Sequence, residues 1–232
     1  MSRLSVFLDK IDPTWKPFFG DQFNKTYFND LMGKLDHEYD NYHILPKKDQ
    51  VFRVFQLPID QIKIVIIGQD PYPTPSHPNG LAFSVNEDVS PLPKSLKNIY
   101  KEIKKEYPDF DKLNGDLSSW FHQGVFLINT ILSIRSKEIL SHKDIGWNIF
   151  TDNLLSYLRE NTHNLVFMLW GRNSHSFESK IDTSRNLIIK TSHPSPLGYS
   201  KTGTDFKSFK DSNQFIEANN YLKSVNKTEI AW

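Results

Sequence analysis

The chain has no cysteine. That excludes disulfide scaffolds, thiolate metal sites and cysteine nucleophiles, and it fits a reducing compartment. It also has no apolar run near the ~20 residues needed to cross a bilayer, so no membrane location is expected. Its start, MSRLSVFLDKIDPTW, carries Asp9 and Asp12 and no long apolar stretch. This argues against a signal peptide, and a cytoplasmic location is expected. Net charge is nearly absent, at +1, so any surface for a polyanion has to be a local patch. Repeats, low-complexity tracts and linker-like composition shifts are missing as well. Residues 1–232 are therefore expected to form one domain, and a monomer, because no extra oligomerisation segment is visible. The sequence holds no GxxxxGK[ST], GxGxxG, GxSxG or HExxH motif, and its histidines share no ligand spacing. No cofactor and no metal are expected.

What is present suits a substantial folded core. Hydrophobic residues make up 38% of the chain and charged residues 24%. Phe28, Leu31, Met32 and Leu35 follow the i, i+3, i+4, i+7 spacing of an amphipathic helix. Leu96, Ile99, Tyr100 and Ile103 predict a second helix with Ser95 as N-cap. Trp147, Phe150, Leu154 and Leu158 predict a third, and Phe215 and Leu222 a fourth, capped near Ser212. Between them lie unbroken apolar runs: IKIVIIG (62–68), GVFLIN (124–129), NLVFMLWG (164–171) and NLIIKTSHP (186–194). Strands buried on both faces read this way. Their alternation with helical patterns predicts an α/β fold, with a central parallel four-stranded sheet flanked by helices. Each run ends in polar residues: Gln69, Asp70 and Tyr72; Asn129 and Thr130; Gly171, Arg172 and Asn173; Ser192, His193 and Ser195. In parallel strands these ends meet at the carboxyl edge, where open α/β sheets bind ligands.

The stretch VIIGQDPYPTPSHPNGLAFSV (65–85) holds one acid, Asp70, at the mouth of a strand and then stiffens with proline. An Asp, a His, an Asn and an aromatic around one pocket suggest a specific chemistry. Asn offers a donor and an acceptor together, and Phe83 offers a flat face for a base. Asp70 can position a water or stabilise a cation, and His193 can donate to a developing anion. Together they describe cleavage between a planar heterocycle and a sugar.

GQDPY, NGLAFSV, FLINTILSIR, SHKDIGW, LWG and HPSPLG, in this order and spacing, resemble the family 1 uracil-DNA glycosylases over nearly the whole chain. The resemblance implies hydrolysis of the N-glycosidic bond of deoxyuridine in single- or double-stranded DNA. Uracil is released and an abasic site remains, without lyase activity, metal or cofactor. The base is flipped out of the stack into a pocket. It implies that Asp70 orients the attacking water and that His193 stabilises the uracil anion. Asn129 would separate uracil from cytosine, Phe83 would stack on the base, Tyr72 would exclude a 5-methyl group, and Gln69 would line the pocket, through its backbone N–H. Ser95 and Ser195 would grip phosphates, and Leu197 would wedge into the space left by the flipped nucleotide. A protein inhibitor of this family is an expected partner.

Three positions depart from the family pattern. Pro73 stands where a His is usual, Arg172 where a phosphate-gripping Ser is usual, and Gly198 where another Ser is common. Arg172 is expected to supply a charge-assisted phosphate contact instead. These departures motivate one alternative, an inactive DNA-binding or replication-associated homologue; a relative with altered base choice is another. Taken singly, Asp70 fits a turn acid, and Phe83 and Tyr72 fit core aromatics. The lysine-rich KSLKNIYKEIKKEY (94–107) reads as a solvated helix face. His142 and Trp147 read as structural, and His122 and His175 as surface residues.

Overall fold

The computed structural model describes residues 10–232, so Asp9 and most of the leader reading above lie outside the described residues. Four parallel strands form the central sheet: β2 (Ile64–Gly68), β3 (Val125–Asn129), β5 (Val166–Trp170) and β6 (Leu187–Thr191). Their spatial order is β3-β2-β5-β6. Every residue of β2, β3 and β5 is buried, which is why these runs are unbroken rather than alternating. β6 is an edge strand and only partly buried, and it carries Lys190 among its apolar residues.

The chain builds β3 on one side of β2 and β5 on the other, so the switch point lies between β2 and β5. Pairing of β2 with β3 runs as far as Gly68 opposite Asn129. Pairing of β2 with β5 stops at Ile66 opposite Met168. The two strands part beyond that point, and the crevice of an open α/β sheet forms there, at their carboxyl ends.

The helices are α1 (Lys16–Phe23), α2 (Thr26–Asn41), α3 (Lys94–Glu106), α4 (Ser118–Phe121), α5 (Trp147–Asn161), α6 (Arg172–His175) and α7 (Gln214–Ser224). The apolar positions predicted for the four longer helices are all buried. Phe28 and Phe150 of two of these helices stack at 5.7 Å, in an aromatic cluster where Trp15 stacks on Phe126 of β3 at 5.5 Å. Each such buried side chain contributes on the order of 1.5–3 kcal/mol, with edge-to-face contacts adding to this.

Two expectations need correction, and a third is sharpened. Ser95 is not an N-cap: the cap is Pro93, whose extended ψ of 144° sets the entry, and Ser95 falls in the first turn. The last helix is capped next to Ser212, by Asn213 in the left-handed region, while the Ser212 hydroxyl donates to the Phe209 carbonyl. His175 is no surface residue: it is half-buried, with Nε2 2.9 Å from the Thr191 carbonyl oxygen and 3.2 Å from that of Leu169. It ties β5 to β6 where the strands end.

A second, two-stranded sheet was not expected. Here β1 (Ile44–Leu45) pairs antiparallel with β4 (Ile134–Arg135). Arg135 holds Glu38 through two charge-assisted bonds of 2.7 and 2.8 Å and lies 3.8 Å above the Tyr42 ring. His142 and Trp147 both bond the Ser133 hydroxyl, at 2.8 and 2.9 Å, in keeping with a structural role. These contacts anchor the segment from Ser136 to Gly146, whose Lys137 and Leu140 N–H groups bond Pro73 and Asp70 beyond the end of β2.

Candidate active site

The carboxyl edge opens into a cavity of about 270 Å³. Gln69, Asp70, Tyr72, Phe83, Ser95, Asn129 and His193 all line it. Arg172, Ser195 and Leu197 line an adjoining cleft that shares His193 as a wall. All the residues singled out in the sequence therefore meet in one region.

Asp70 follows β2 by two residues and is half-buried. Its Oδ2 accepts the Leu140 N–H at 2.9 Å, a contact from across the fold that fixes its plane. Burial raises the Asp70 carboxyl above the ordinary aspartate range, and the Leu140 bond offsets part of that rise. Gln69 is held on three sides. Its carbonyl accepts from the Thr130 hydroxyl and the Ile131 N–H, both at 2.9 Å, and its side-chain oxygen accepts from the Asn173 amide.

Asn129 is the last residue of β3 and is buried. Its position depends on Gly68, the residue opposite it in register. A Cβ at 68 would lie 2.2 Å from Asn129 Oδ1, so only glycine leaves room for that amide. Phe83 adopts φ 63°, a left-handed conformation costly for an aromatic residue. This turn places its ring edge-on to Trp170 at 5.0 Å, with His193 at 5.9 Å on another side. The Tyr72 hydroxyl points back to the Phe83 carbonyl at 3.4 Å, and burial holds its phenol neutral well past the usual range. The turn between them is braced by Asn79, whose amide donates to the Ser84 hydroxyl, the Val85 carbonyl and the Asp116 carboxylate.

His193 lies two residues beyond β6. Its Nδ1 accepts the Ser195 N–H at 3.0 Å. A backbone N–H can only donate, so Nδ1 bears no proton, and the ring is the neutral tautomer with its proton on Nε2. Burial acts in the same direction and lowers the His193 pKa. Two glycines crowd this histidine. A Cβ on Gly171 would meet the His193 Cβ at 2.9 Å, and one on Gly198 would meet its carbonyl oxygen at 2.5 Å. Leu197, at the tip of this loop, is 85% exposed. Arg172 is exposed, with no ion-pair partner within 4 Å among the described residues.

Pro73 lines the cavity near Asp70, and its carbonyl accepts the Lys137 N–H at 2.8 Å. Sequence reasoning missed Leu140, Leu132 and Ile139. The last two supply apolar lining, and Leu140 acts through a backbone N–H that every residue type but proline provides. It missed Asn98 too, whose amide donates to the Pro194 carbonyl at 2.7 Å. Among the described residues no group of His, Cys, Asp and Glu is arranged to hold a metal ion, and no helix is long and apolar enough to cross a membrane.

The family described as the Uracil DNA glycosylase superfamily matches residues 55–223. The Uracil-DNA glycosylase of Borreliella burgdorferi is 46% identical over 224 residues, covering 95% of this chain and 97% of that protein. The enzyme of the same name from Fusobacterium nucleatum is 41% identical, covering 97% of each chain. Among solved structures, mimivirus uracil-DNA glycosylase superposes with a TM-score of 0.89 at 33% identity, covering 99% of this chain and 89% of that one. A variant of that viral enzyme in complex with UGI gives a TM-score of 0.91 at 34% identity, covering 99% and 90%.

Proposed function

The chain belongs to the uracil-DNA glycosylase superfamily and excises uracil from DNA, and we propose that it does so by Asp70-directed hydrolysis inside the cavity described above. The observation that carries this reading is the meeting of Asp70, Asn129, Phe83 and His193 around one cavity from three strand ends.

Uracil enters the cavity flipped from the stack, its face against Phe83. The Asn129 amide supplies the donor–acceptor pair that fits the uracil edge. Tyr72, with its hydroxyl turned to the Phe83 carbonyl, fills the space that a 5-methyl group would need. As the N-glycosidic bond breaks, its electron pair passes to the base. His193 Nε2–H donates to the uracil oxygen that gains charge, and a neutral imidazole does this without protonating the base outright. The sugar becomes cationic, and the Asp70 carboxylate stabilises it and takes a proton from the water that adds to it. Atoms balance as deoxyuridine plus water giving uracil and an abasic sugar. Hydrolysis without a lyase step fits a lining that holds no lysine amine for a Schiff base. Ser95, Ser195 and Arg172 would contact phosphates of single- or double-stranded DNA, and Leu197 would fill the void in a duplex. The UGI complex of the viral relative supports binding of such an inhibitor here, and the bacterial relatives support a cytoplasmic location.

The test is incubation with uracil-containing oligonucleotides in EDTA. Wild type should leave alkali-labile sites. Asp70→Asn should keep the Leu140 contact yet lose about 10²–10⁴-fold in rate. DNA binding with no cleavage by either protein would favour the inactive homologue instead.

A further inference from the structure

Leu197 is an exposed apolar side chain on a loop, and a wedge is useful only if it is held at a fixed height. We propose that the α3 face carrying Asn98 and Glu102 sets that height by tethering both ends of the Leu197 loop, through Pro194 and Tyr199. This rests on the reading of Leu197 as a wedge and adds Asn98, Glu102 and Tyr199 as positioning residues.

The geometry is that of a clamp. Ser95, Asn98 and Glu102 are spaced i, i+3, i+7 and so share one stripe of α3. Ser95 lines the cavity. One turn on, Asn98 donates to the Pro194 carbonyl at 2.7 Å, ahead of the wedge. A further turn on, Glu102 accepts the Tyr199 hydroxyl, just after the wedge. Glu102 is only 1% exposed, a rare place for a carboxylate unless it is fully engaged. Its other partners are Lys105 Nζ at 2.8 Å and the Asp211 N–H at 2.7 Å, the latter fixing the chain where it returns from the loop.

Tyr199 has further contacts at its ring and its backbone. Lys101 Nζ lies 5.4 Å from its ring centroid. Its carbonyl accepts the Ser208 hydroxyl and the Lys210 N–H, both at 3.0 Å. Between the two tethers the loop closes on itself: the Ser195 carbonyl accepts the N–H groups of Gly198 at 2.9 Å and of Tyr199 at 2.8 Å. Leu197 is thus the exposed crown of a rigid turn on two feet. Such preorganisation avoids an ordering cost when DNA binds. A single-stranded substrate leaves no void in a stack, so the clamp matters most in duplex DNA.

The test compares kcat/KM on one oligonucleotide, single-stranded and paired with its complement, for wild type, Tyr199→Phe, Asn98→Ala and Leu197→Ala. Tyr199→Phe removes one hydroxyl and leaves Glu102 bonded to Lys105 and Asp211. It should lower the duplex to single-strand ratio about tenfold, the effect of one lost bond to a charged group, and Asn98→Ala should lower it in the same direction. A ratio that falls in Leu197→Ala but holds in both tether variants overturns the clamp and leaves the wedge standing. A ratio unmoved in all three variants means the wedge reading itself has failed. Equal losses on both substrates in the tether variants, with a lowered Tm, would mark them as general structural contacts and overturn the proposal.

Discussion

The Ser195 N–H donates to His193 Nδ1 at 3.0 Å, so the histidine is locked as the tautomer whose only proton lies on Nε2. Burial acts in the same direction and lowers its pKa.

The pH profile follows from this. His193 titrates below the ordinary histidine range, so it stays neutral throughout neutral pH. Asp70 titrates above the ordinary aspartate range, because burial disfavours its charged form. Both shifts place the loss of activity on the acid side: as pH falls, Asp70 gains a proton and His193 becomes a cation that breaks the Ser195 bond. We expect kcat/KM to be flat around neutrality and to fall in acid, with no alkaline limb from either group. Nitrogen NMR of labelled His193 should show the Nε2–H form at pH 7; an imidazolium spectrum there would contradict the assignment.

Gly68→Ala should disable the site from outside the catalytic set. The added Cβ would overlap Asn129 Oδ1 at 2.2 Å, with the Ala82 Cβ at 3.0 Å preventing a sideways escape. Overpacking of this kind costs about 1–3 kcal/mol. The Asn129 amide must swing out of register, so uracil excision should fall by about 10²-fold or more while the fold survives. A Tm scan beside a uracil-release assay checks both parts.

Gly198→Ser restores the residue that the family resemblance would place after Leu197, and it should still reduce activity. Its Cβ would meet the His193 carbonyl oxygen at 2.5 Å. Relief of that clash moves either the wedge or the histidine. We expect kcat/KM on duplex DNA to fall about tenfold, with no gain in DNA affinity from the new hydroxyl.

Arg172→Ala should weaken DNA binding without touching the chemistry. The guanidinium is exposed and free of ion pairs with described residues, so it is available to a phosphate. Loss of one such contact should reduce the slope of log K against log salt by about 1. Single-turnover cleavage at saturating enzyme should hold. An unchanged salt slope would place Arg172 off the DNA path.

Much of this was readable in the sequence because burial on both sheet faces leaves a simple mark. Four unbroken apolar runs became four parallel strands; polar residues after the first, second and fourth became the cavity wall, and Arg172 after the third lines the adjoining cleft. The rest was hidden for definite reasons. Leu140 acts through its backbone N–H, which leaves no trace in side-chain chemistry. The β1–β4 pair has two residues per strand, too few to show any period. Asn98, Glu102 and Tyr199 are polar residues whose partners are remote in the chain, and the lysines around Glu102 made its helix read as a solvated face. The cap of α3 was misplaced because a proline already sets the chain's entry angle, and Ser95 was left free to face the cavity.

The register of Gly68 against Asn129 reaches beyond these two residues. Side chains alternate faces along a strand, so a slip of one position would turn the Asn129 amide away from the cavity while leaving the sheet apolar and paired. His193 is placed by β6, the last strand, through its pairing with β5. Uracil excision is thus a readout of sheet registration. A chain that is compact and rich in strand but mispaired by one residue would look folded by most measures and yet be silent on DNA.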